Sequence, residues 1–234
     1  MDKKFNFQEL HAIVSTLRGE NGCPWDRAQT HETLKSNTLE EAYEVNQAIN
    51  DLSETGNVGP LKEELGDLLL QIMLHSQIAE ENGEFTLEDV IDGISRKMIH
   101  RHPHVFGGKK YDSIEEQKKD WEVLKAEEEG HQHASPKDEL SEVPKAFPAL
   151  LRGQKVMKKA MKHELISNDD ETIFKDMLQS LVNLQISASK PEEISHFQQQ
   201  LGQTLLSILR LAAKYRIDAG MSLNDEIEKF IREI

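Results

Sequence analysis

Glu40-Glu41-Ala42-Tyr43-Glu44 and Glu63-Glu64-Leu65-Gly66-Asp67 are two short acidic runs that decide the fold expected of this sequence. On a helix, residues three or four positions apart share a face, so Glu41 aligns with Glu44, and Glu64 aligns with Asp67. If the two faces meet across a helical hairpin, each pair of carboxylates about 5 Å apart repels by roughly 3 kcal/mol at an effective dielectric constant of about 20. Clustered oxygen ligands favour Mg²⁺ or Mn²⁺, which relieves that repulsion. The runs therefore predict a divalent metal site on a helical hairpin.

Both acidic runs lie among apolar residues that are typical of a helical core. The apolar residues around the first run and after the second are Leu39, Ala42, Tyr43, Val45, Ala48 and Ile49, and then Leu68, Leu69, Leu70, Ile72, Met73 and Leu74. Carboxylates at the edge of such a core need a partner. The alternative is a solvated acidic surface, because the chain has 42 Asp and Glu among its 234 residues.

The same pattern recurs 136 residues further along the chain without most of its charges. At this offset the segment Glu64-Leu65-Gly66-Asp67-Leu68-Leu69-Leu70 pairs with Gln200-Leu201-Gly202-Gln203-Thr204-Leu205-Leu206. The residues that take the places of Glu40, Glu41, Glu44, Glu64 and Asp67 are Asp176, Met177, Ser180, Gln200 and Gln203. Four carboxylates are absent together, as expected if one shared metal site has been lost. The sequence therefore predicts a tandem duplication with one active half.

Composition excludes several classes of partner. The net charge of −14 argues against duplex nucleic acid and anionic membranes, because phosphate surfaces are bound by basic ones. No apolar run approaches the roughly 18 residues that cross a bilayer, and the N-terminus does not resemble a signal peptide, so we expect a cytoplasmic protein. The single cysteine, Cys23, has no partner for a disulfide and is interpreted as a packed loop residue.

Apolar periodicity predicts an all-α protein without a convincing strand. The expected helices cover 7–17, 38–53, 60–82, a segment capped by Thr86 that ends before Pro103, 146–162, 170–187, 191–217 and 222–233. In the helix capped by Thr86, the residues expected to form a buried stripe are Leu87, Val90, Ile91, Ile94 and Met98. The segment 21–26 is expected to be a loop, and 127–144 a flexible polar linker.

A basic group ends the helix that begins after Thr86. Lys97 and Arg101 lie one turn apart on the same face, followed by His102 and His104 around Pro103. Arginine matches phosphate oxygens with its forked donors, and lysine supplies a point charge. The sequence thus indicates a surface for a phosphate chain opposite the acidic site. Cations also favour helix C-termini through the backbone dipole, which is the simpler alternative.

Four segments together resemble the MazG family of nucleoside triphosphate pyrophosphohydrolases. They are Asn21-Gly22-Cys23-Pro24-Trp25-Asp26, Thr38-Leu39-Glu40-Glu41-Ala42-Tyr43-Glu44, Glu64-Leu65-Gly66-Asp67 and Arg101-His102-Pro103-His104-Val105-Phe106. The acidic part is shared by the wider all-α pyrophosphohydrolase group, whereas the first and last segments are more particular to MazG. The resemblance implies a homodimer with a four-helix-bundle core. It also implies Mg²⁺-dependent hydrolysis of NTPs and dNTPs to the monophosphate and pyrophosphate, with a role in cleaning the nucleotide pool.

The resemblance also assigns roles to residues. It makes Glu41, Glu44, Glu64 and Asp67 magnesium ligands, and Glu40 the residue that orients or deprotonates the attacking water. It makes Lys97 and Arg101 phosphate contacts and Trp25 a candidate to stack on the base, unless Trp25 anchors its loop in the core. The domains implied are a catalytic one over 1–107, a helix and polar linker over 108–145, and a non-catalytic repeat over 146–234. No residue is assigned to read the base or sugar.

Two alternatives to this enzyme remain. One is a non-catalytic helical module that binds nucleotides or protein partners. The other is a di-iron or di-manganese bundle, which needs two Glu-x-x-His motifs on facing core helices. The chain has such spacings at 193–196 and 128–131, but neither lies on the acidic hairpin.

Overall fold

A computed structural model of the chain describes residues 3–128, 135–189 and 194–234. These described residues form twelve α-helices and no β-strand, which confirms the all-α prediction. The helices are α1 (Phe7–Arg18), α2 (Pro24–Ala28), α3 (Lys35–Thr55), α4 (Gly59–Glu81), α5 (Leu87–Arg101), α6 (Pro103–Phe106), α7 (Ile114–Glu128), α8 (Pro136–Ser141), α9 (Ala149–Lys162), α10 (Asp170–Ala188), α11 (Ile194–Tyr215) and α12 (Ala219–Glu233). None of them combines the length and the apolar content that crossing a bilayer requires.

The chain divides into two compact units, residues 1–130 and 131–234. Residues 129–134 and 190–193 lie outside the described residues. Three predictions fall partly on them: the polar linker, the two Glu-x-x-His spacings and the start of the helix expected at 191.

Local capping explains where the helices of the first unit begin. Asn6 and Glu9 form a reciprocal capping box at the start of α1, and Thr86 and Asp89 form another at the start of α5. The predicted cap at Thr86 is therefore confirmed. After α3, Gly56 adopts a left-handed conformation with φ of 70°, which a residue without a Cβ reaches at little cost. This sharp end lets the chain turn into α4 within a few residues.

The acidic hairpin is the antiparallel pair α3 and α4, and it rests on a small core in the first unit. The buried residues of this core are Val14, Leu34, Met73, Leu74, Ile78 and Leu87. They come from α1, the segment before α3, the second half of α4 and the start of α5. The first half of α4, which carries the acids, therefore extends beyond the best-packed region.

The second unit contains a corresponding hairpin of α10 and α11, with α9 packed against α11. Its core joins Met161, Ile173 and Ala213. Gly153 of α9 sits so close to α11 that a Cβ in its place would lie 2.5 Å from Cδ1 of Leu209. A larger residue at 153 would require the side chain of Leu209 to move.

Three local predictions need correction. The described part of the segment predicted to be a flexible polar linker, 135–144, contains α8, and both Glu139 and Val143 are buried there. The segment expected to be a loop at 21–26 contains α2, because Pro24 stands at a first-turn position where its missing N–H costs nothing. Of the stripe predicted to be buried on α5, only Leu87 is buried, and the other four residues are between 37% and 52% exposed. That face of α5 is therefore only partly covered within the described residues of the first unit.

Candidate functional site

The α3–α4 hairpin brings three of the four predicted metal ligands together. One carboxylate oxygen from each of Glu41, Glu64 and Asp67 lies within 4.8 Å of the other two, and all three side chains are half-buried. This is the one such group of potential ligands found among the described residues. Three carboxylates at this spacing suit a hard divalent cation.

Glu44, the fourth predicted ligand, lies at the border of this cluster. It is more exposed than the other three, but its side chain is close enough to Glu41 to help raise the pKa of that carboxyl group. Partial burial, followed by the charges of Asp67 and Glu44, raises the pKa of Glu41. Partial burial and the charges of Glu44, Asp67 and Glu63 raise the pKa of Glu64. The site therefore holds more negative charge than it can accommodate alone, which a bound cation would offset.

Glu40 is exposed next to Glu41 on α3 and stands outside the cluster of three oxygens. The family resemblance assigns it to the water and not to the metal, and its position leaves its carboxylate exposed. A group that accepts a proton from a water molecule needs this access.

A histidine relay that the sequence analysis missed ties the start of α3 to α4. Oγ of Thr38 donates to the carbonyl of Leu34 over 3.1 Å, so it accepts from Nε2 of His75 at 3.0 Å. Nδ1 of His75 is then an acceptor, and Nδ1–H of His31 donates to it over 2.8 Å. Burial and His31 lower the pKa of His75, in agreement with a neutral ring. The relay fixes the helical turn that leads into Glu40 and Glu41.

A sequence signal for this relay existed. His75 directly follows the apolar run Ile72-Met73-Leu74 on α4, two turns after Asp67. A histidine at that position is out of place unless it has a polar partner. What the sequence did not reveal is that the partner is His31, 44 residues earlier.

The two predicted phosphate contacts lie on α5 beside α7. Lys97 lines an open depression of about 380 Å³ together with Gly93, Arg96, His100 and Glu128. Arg101, one turn further, has its guanidinium held by Glu128: Nε lies 2.8 Å and Nη2 lies 2.6 Å from Oε2. The guanidinium also stacks over the ring of Trp121, with 5.5 Å between its central carbon and the ring centroid. Neither Glu128 nor Trp121 was among the predicted site residues.

Trp25 is 61% exposed on α2, so it does not anchor that segment in the core. The anchor is the buried Arg18, which donates to the carbonyls of Asp26 and Gln29 and pairs with Glu81 at 2.7 Å. An exposed indole on a short, fixed helix is available to a ligand.

The second hairpin has no comparable acidic cluster among its described residues. Asp176, the one acid at the five positions that correspond to the acidic runs, is paired with the buried Arg210 at 2.7 Å. Ser180 hydrogen-bonds Ser207 across the hairpin at 3.0 Å, and Thr204 donates to the carbonyl of Ser180. Direct polar contacts between α10 and α11 thus replace the carboxylates that α3 and α4 present to each other.

Comparison with known proteins places these features in context. Residues 29–106 match the model of the MazG nucleotide pyrophosphohydrolase domain. The chain is 37% identical over 225 residues to the nucleoside triphosphate pyrophosphohydrolase/pyrophosphatase MazG of Thermotoga maritima, a match that covers 96% of this chain and 82% of that protein. It is 33% identical over 227 residues to the nucleoside triphosphate pyrophosphohydrolase of Escherichia coli K12, covering 95% of this chain and 83% of the relative. The uncharacterized protein YabN of Bacillus subtilis is 37% identical over 226 residues, 97% of this chain and 45% of that protein.

Proposed function

We propose, because this chain belongs to the MazG family of nucleoside triphosphate pyrophosphohydrolases, that its α3–α4 hairpin is the active site of a magnesium-dependent enzyme of that kind. The protein is a hydrolase that splits the anhydride between the α and β phosphates of nucleoside triphosphates. The observation that carries the site assignment is the convergence of Glu41, Glu64 and Asp67.

In this proposal Glu41, Glu44, Glu64 and Asp67 hold Mg²⁺, with Mn²⁺ as a substitute. Four carboxylates on two adjacent helices form an oxygen-rich donor set, and the raised pKa values of Glu41 and Glu64 indicate that the site favours added positive charge. When bound, magnesium supplies charge that offsets the triphosphate and the departing pyrophosphate.

The other predicted site residues handle the water and the substrate. The exposed carboxylate of Glu40 orients the attacking water and accepts its proton. Lys97, in the wall of the basic depression, and Arg101 contact the phosphates. Trp25 stacks on the base with its exposed indole.

A homodimer accounts for the apolar surface that the single chain leaves uncovered in the first unit. Leu39, Tyr43 and Ile49 on α3 are each about half exposed, and Ile94 on α5 is 52% exposed. Helices with such faces are covered by other helices in bundles. We therefore propose that two copies form a four-helix-bundle core, as the family resemblance implies.

We further propose the domain organisation that the sequence predicts. Residues 1–107 are catalytic, 108–145 connect, and 146–234 are a repeat without catalysis, because its acidic positions are occupied by Met177, Ser180, Gln200 and Gln203. The enzyme cleans the nucleotide pool, and we place it in the cytoplasm, where nucleoside triphosphates are made and used.

The direct test measures pyrophosphate release from canonical and modified NTPs and dNTPs with Mg²⁺. We expect release by the natural chain and a loss of at least about 100-fold in Glu41→Gln, because metal-assisted charge stabilisation contributes several kcal/mol. Glu54→Gln, the same change at an exposed position of α3, is the matched control and should keep full activity. Equal activity of Glu41→Gln and the natural chain would overturn the site. No release from any nucleotide would favour the non-catalytic binding module.

A further inference from the structure

We propose that Glu128 of α7 is a positioning residue that holds the guanidinium of Arg101 in the orientation that receives a substrate phosphate. This inference rests on the proposed function, because it takes from there the role of Arg101 as a phosphate contact. It adds α7 to the site, although the catalytic segment predicted from the sequence ends at residue 107.

The geometry of the ion pair leaves part of the guanidinium available. An arginine side chain has five N–H donors arranged on two edges. Glu128 occupies the edge formed by Nε and Nη2, through its Oε2 at 2.8 and 2.6 Å. Trp121 covers one face of the guanidinium. Within the described residues, Nη1 of Arg101 has no hydrogen-bond partner, so the protein leaves the donors of the second edge unpaired.

Burial makes this pair rigid. The side chain of Arg101 is 10% exposed and that of Glu128 is 18% exposed, in contrast to the salt bridge of Arg96 with Asp92 on the same helix, where both side chains are more than half exposed. A free arginine loses much rotamer entropy when it binds a ligand, whereas an arginine that is already fixed loses little. A fixed Arg101 therefore binds phosphate more tightly than a mobile one.

The position of Glu128 connects this pair to the rest of the basic surface. Glu128 lines the same open depression as Lys97 and His100, and its second oxygen, Oε1, lies 4.0 Å from Nε2 of His100. Lys97 and Arg101 are one turn apart on α5. The carboxylate thus lies beside both predicted phosphate contacts but engages only Arg101.

The test compares the steady-state kinetics of Glu128→Gln and Glu127→Gln in the full chain, with the NTP that releases pyrophosphate fastest. Glu127 is the exposed neighbour on α7 and serves as the matched control. We expect Glu128→Gln to raise KM about tenfold, since a neutral amide oxygen holds the charged guanidinium more weakly than a carboxylate does, while kcat stays within about twofold. Glu128→Asp keeps the charge and should recover part of the affinity.

A double-variant cycle separates positioning from a general structural role. If Glu128 acts through Arg101, then Arg101→Ala raises KM, and adding Glu128→Gln to it has no further effect. Independent, multiplying effects of the two changes on KM would overturn the inference, as would a lower KM in Glu128→Gln, which would mean that Glu128 competes with the substrate.

The cycle also distinguishes failure of this inference from failure of the proposed function. An unchanged KM in Arg101→Ala would remove Arg101 from the phosphate site and the inference with it. A raised KM in Arg101→Ala beside an unchanged KM in Glu128→Gln would overturn the inference alone. Pyrophosphate release that survives in either variant leaves the acidic site intact.

Discussion

At the scale of single residues, the acidic cluster lowers the stability of the metal-free protein. The pKa of Glu41 is raised in the folded chain, first by partial burial and then by its acidic neighbours. A carboxyl group with a raised pKa contributes stability below its ordinary pKa of 4.5 and loses that contribution as the pH rises through the folded value. The cost of partial burial and of the neighbouring charges is therefore fully present at neutral pH.

We accordingly expect Glu41→Gln to raise the unfolding temperature of the chelator-treated protein at neutral pH. The gain should shrink as the pH falls toward 4.5, because the glutamate is then protonated and uncharged as well. Thermal unfolding followed by circular dichroism over this pH range measures the difference, with Glu54→Gln as the reference. A lower unfolding temperature for Glu41→Gln at neutral pH would contradict this account of the cluster.

Some residues of the candidate site could be predicted from the sequence and others could not. Glu41, Glu64 and Asp67 follow from helical spacing, because residues three apart must share a face wherever the helix lies. Glu128 reaches Arg101 from 27 residues away, and His31 reaches His75 across 44. Such pairs depend on how helices pack, which the local pattern of apolar residues does not specify.

At the scale of helices, the relay of His31, His75 and Thr38 acts as a clamp between α3 and α4. We expect His75→Phe to raise the Mg²⁺ concentration needed for half-maximal activity about tenfold, because supporting hydrogen bonds around metal ligands typically have effects of that size. Thr38→Val removes the hydroxyl that accepts from His75, and it should also raise the Mg²⁺ concentration needed for half-maximal activity. Magnesium titrations of pyrophosphate release measure both, and an unchanged requirement in both variants would show that the clamp has no influence on the acidic site.

The sequence predicted most helix boundaries well, because caps and proline act locally. Thr86 begins α5, and the helix ends just before Pro103, as expected. The sequence predicted the apolar stripe of α5 correctly, but the prediction that the stripe is buried was wrong. Periodicity shows that a face is apolar, but not whether the chain itself or a second copy covers it.

At the scale of the whole molecule, the exposed apolar face of α3 makes the proposed dimer testable. Tyr43 is 60% exposed in the single chain. We expect Tyr43→Glu to shift the protein toward the monomer, because a charge at the centre of an apolar interface loses its hydration without gaining a partner. Analytical ultracentrifugation over a range of protein concentrations measures this.

Gln8→Glu places the same charge on an exposed polar position of α1 and should leave the mass unchanged. A natural chain that is monomeric at every concentration would contradict the proposed dimer. Unchanged mass in Tyr43→Glu beside a dimeric natural chain would move the interface away from α3.

Both tryptophans of the chain, Trp25 and Trp121, belong to the first unit, one exposed on α2 and the other stacked on Arg101. The tryptophan fluorescence of the natural protein therefore comes from the unit that carries the proposed active site and not from the acid-poor half. Emission can follow a magnesium or nucleotide titration without any attached dye, while circular dichroism follows the helices of both halves. Tryptophan emission thus reports on the first unit, which carries the proposed active site.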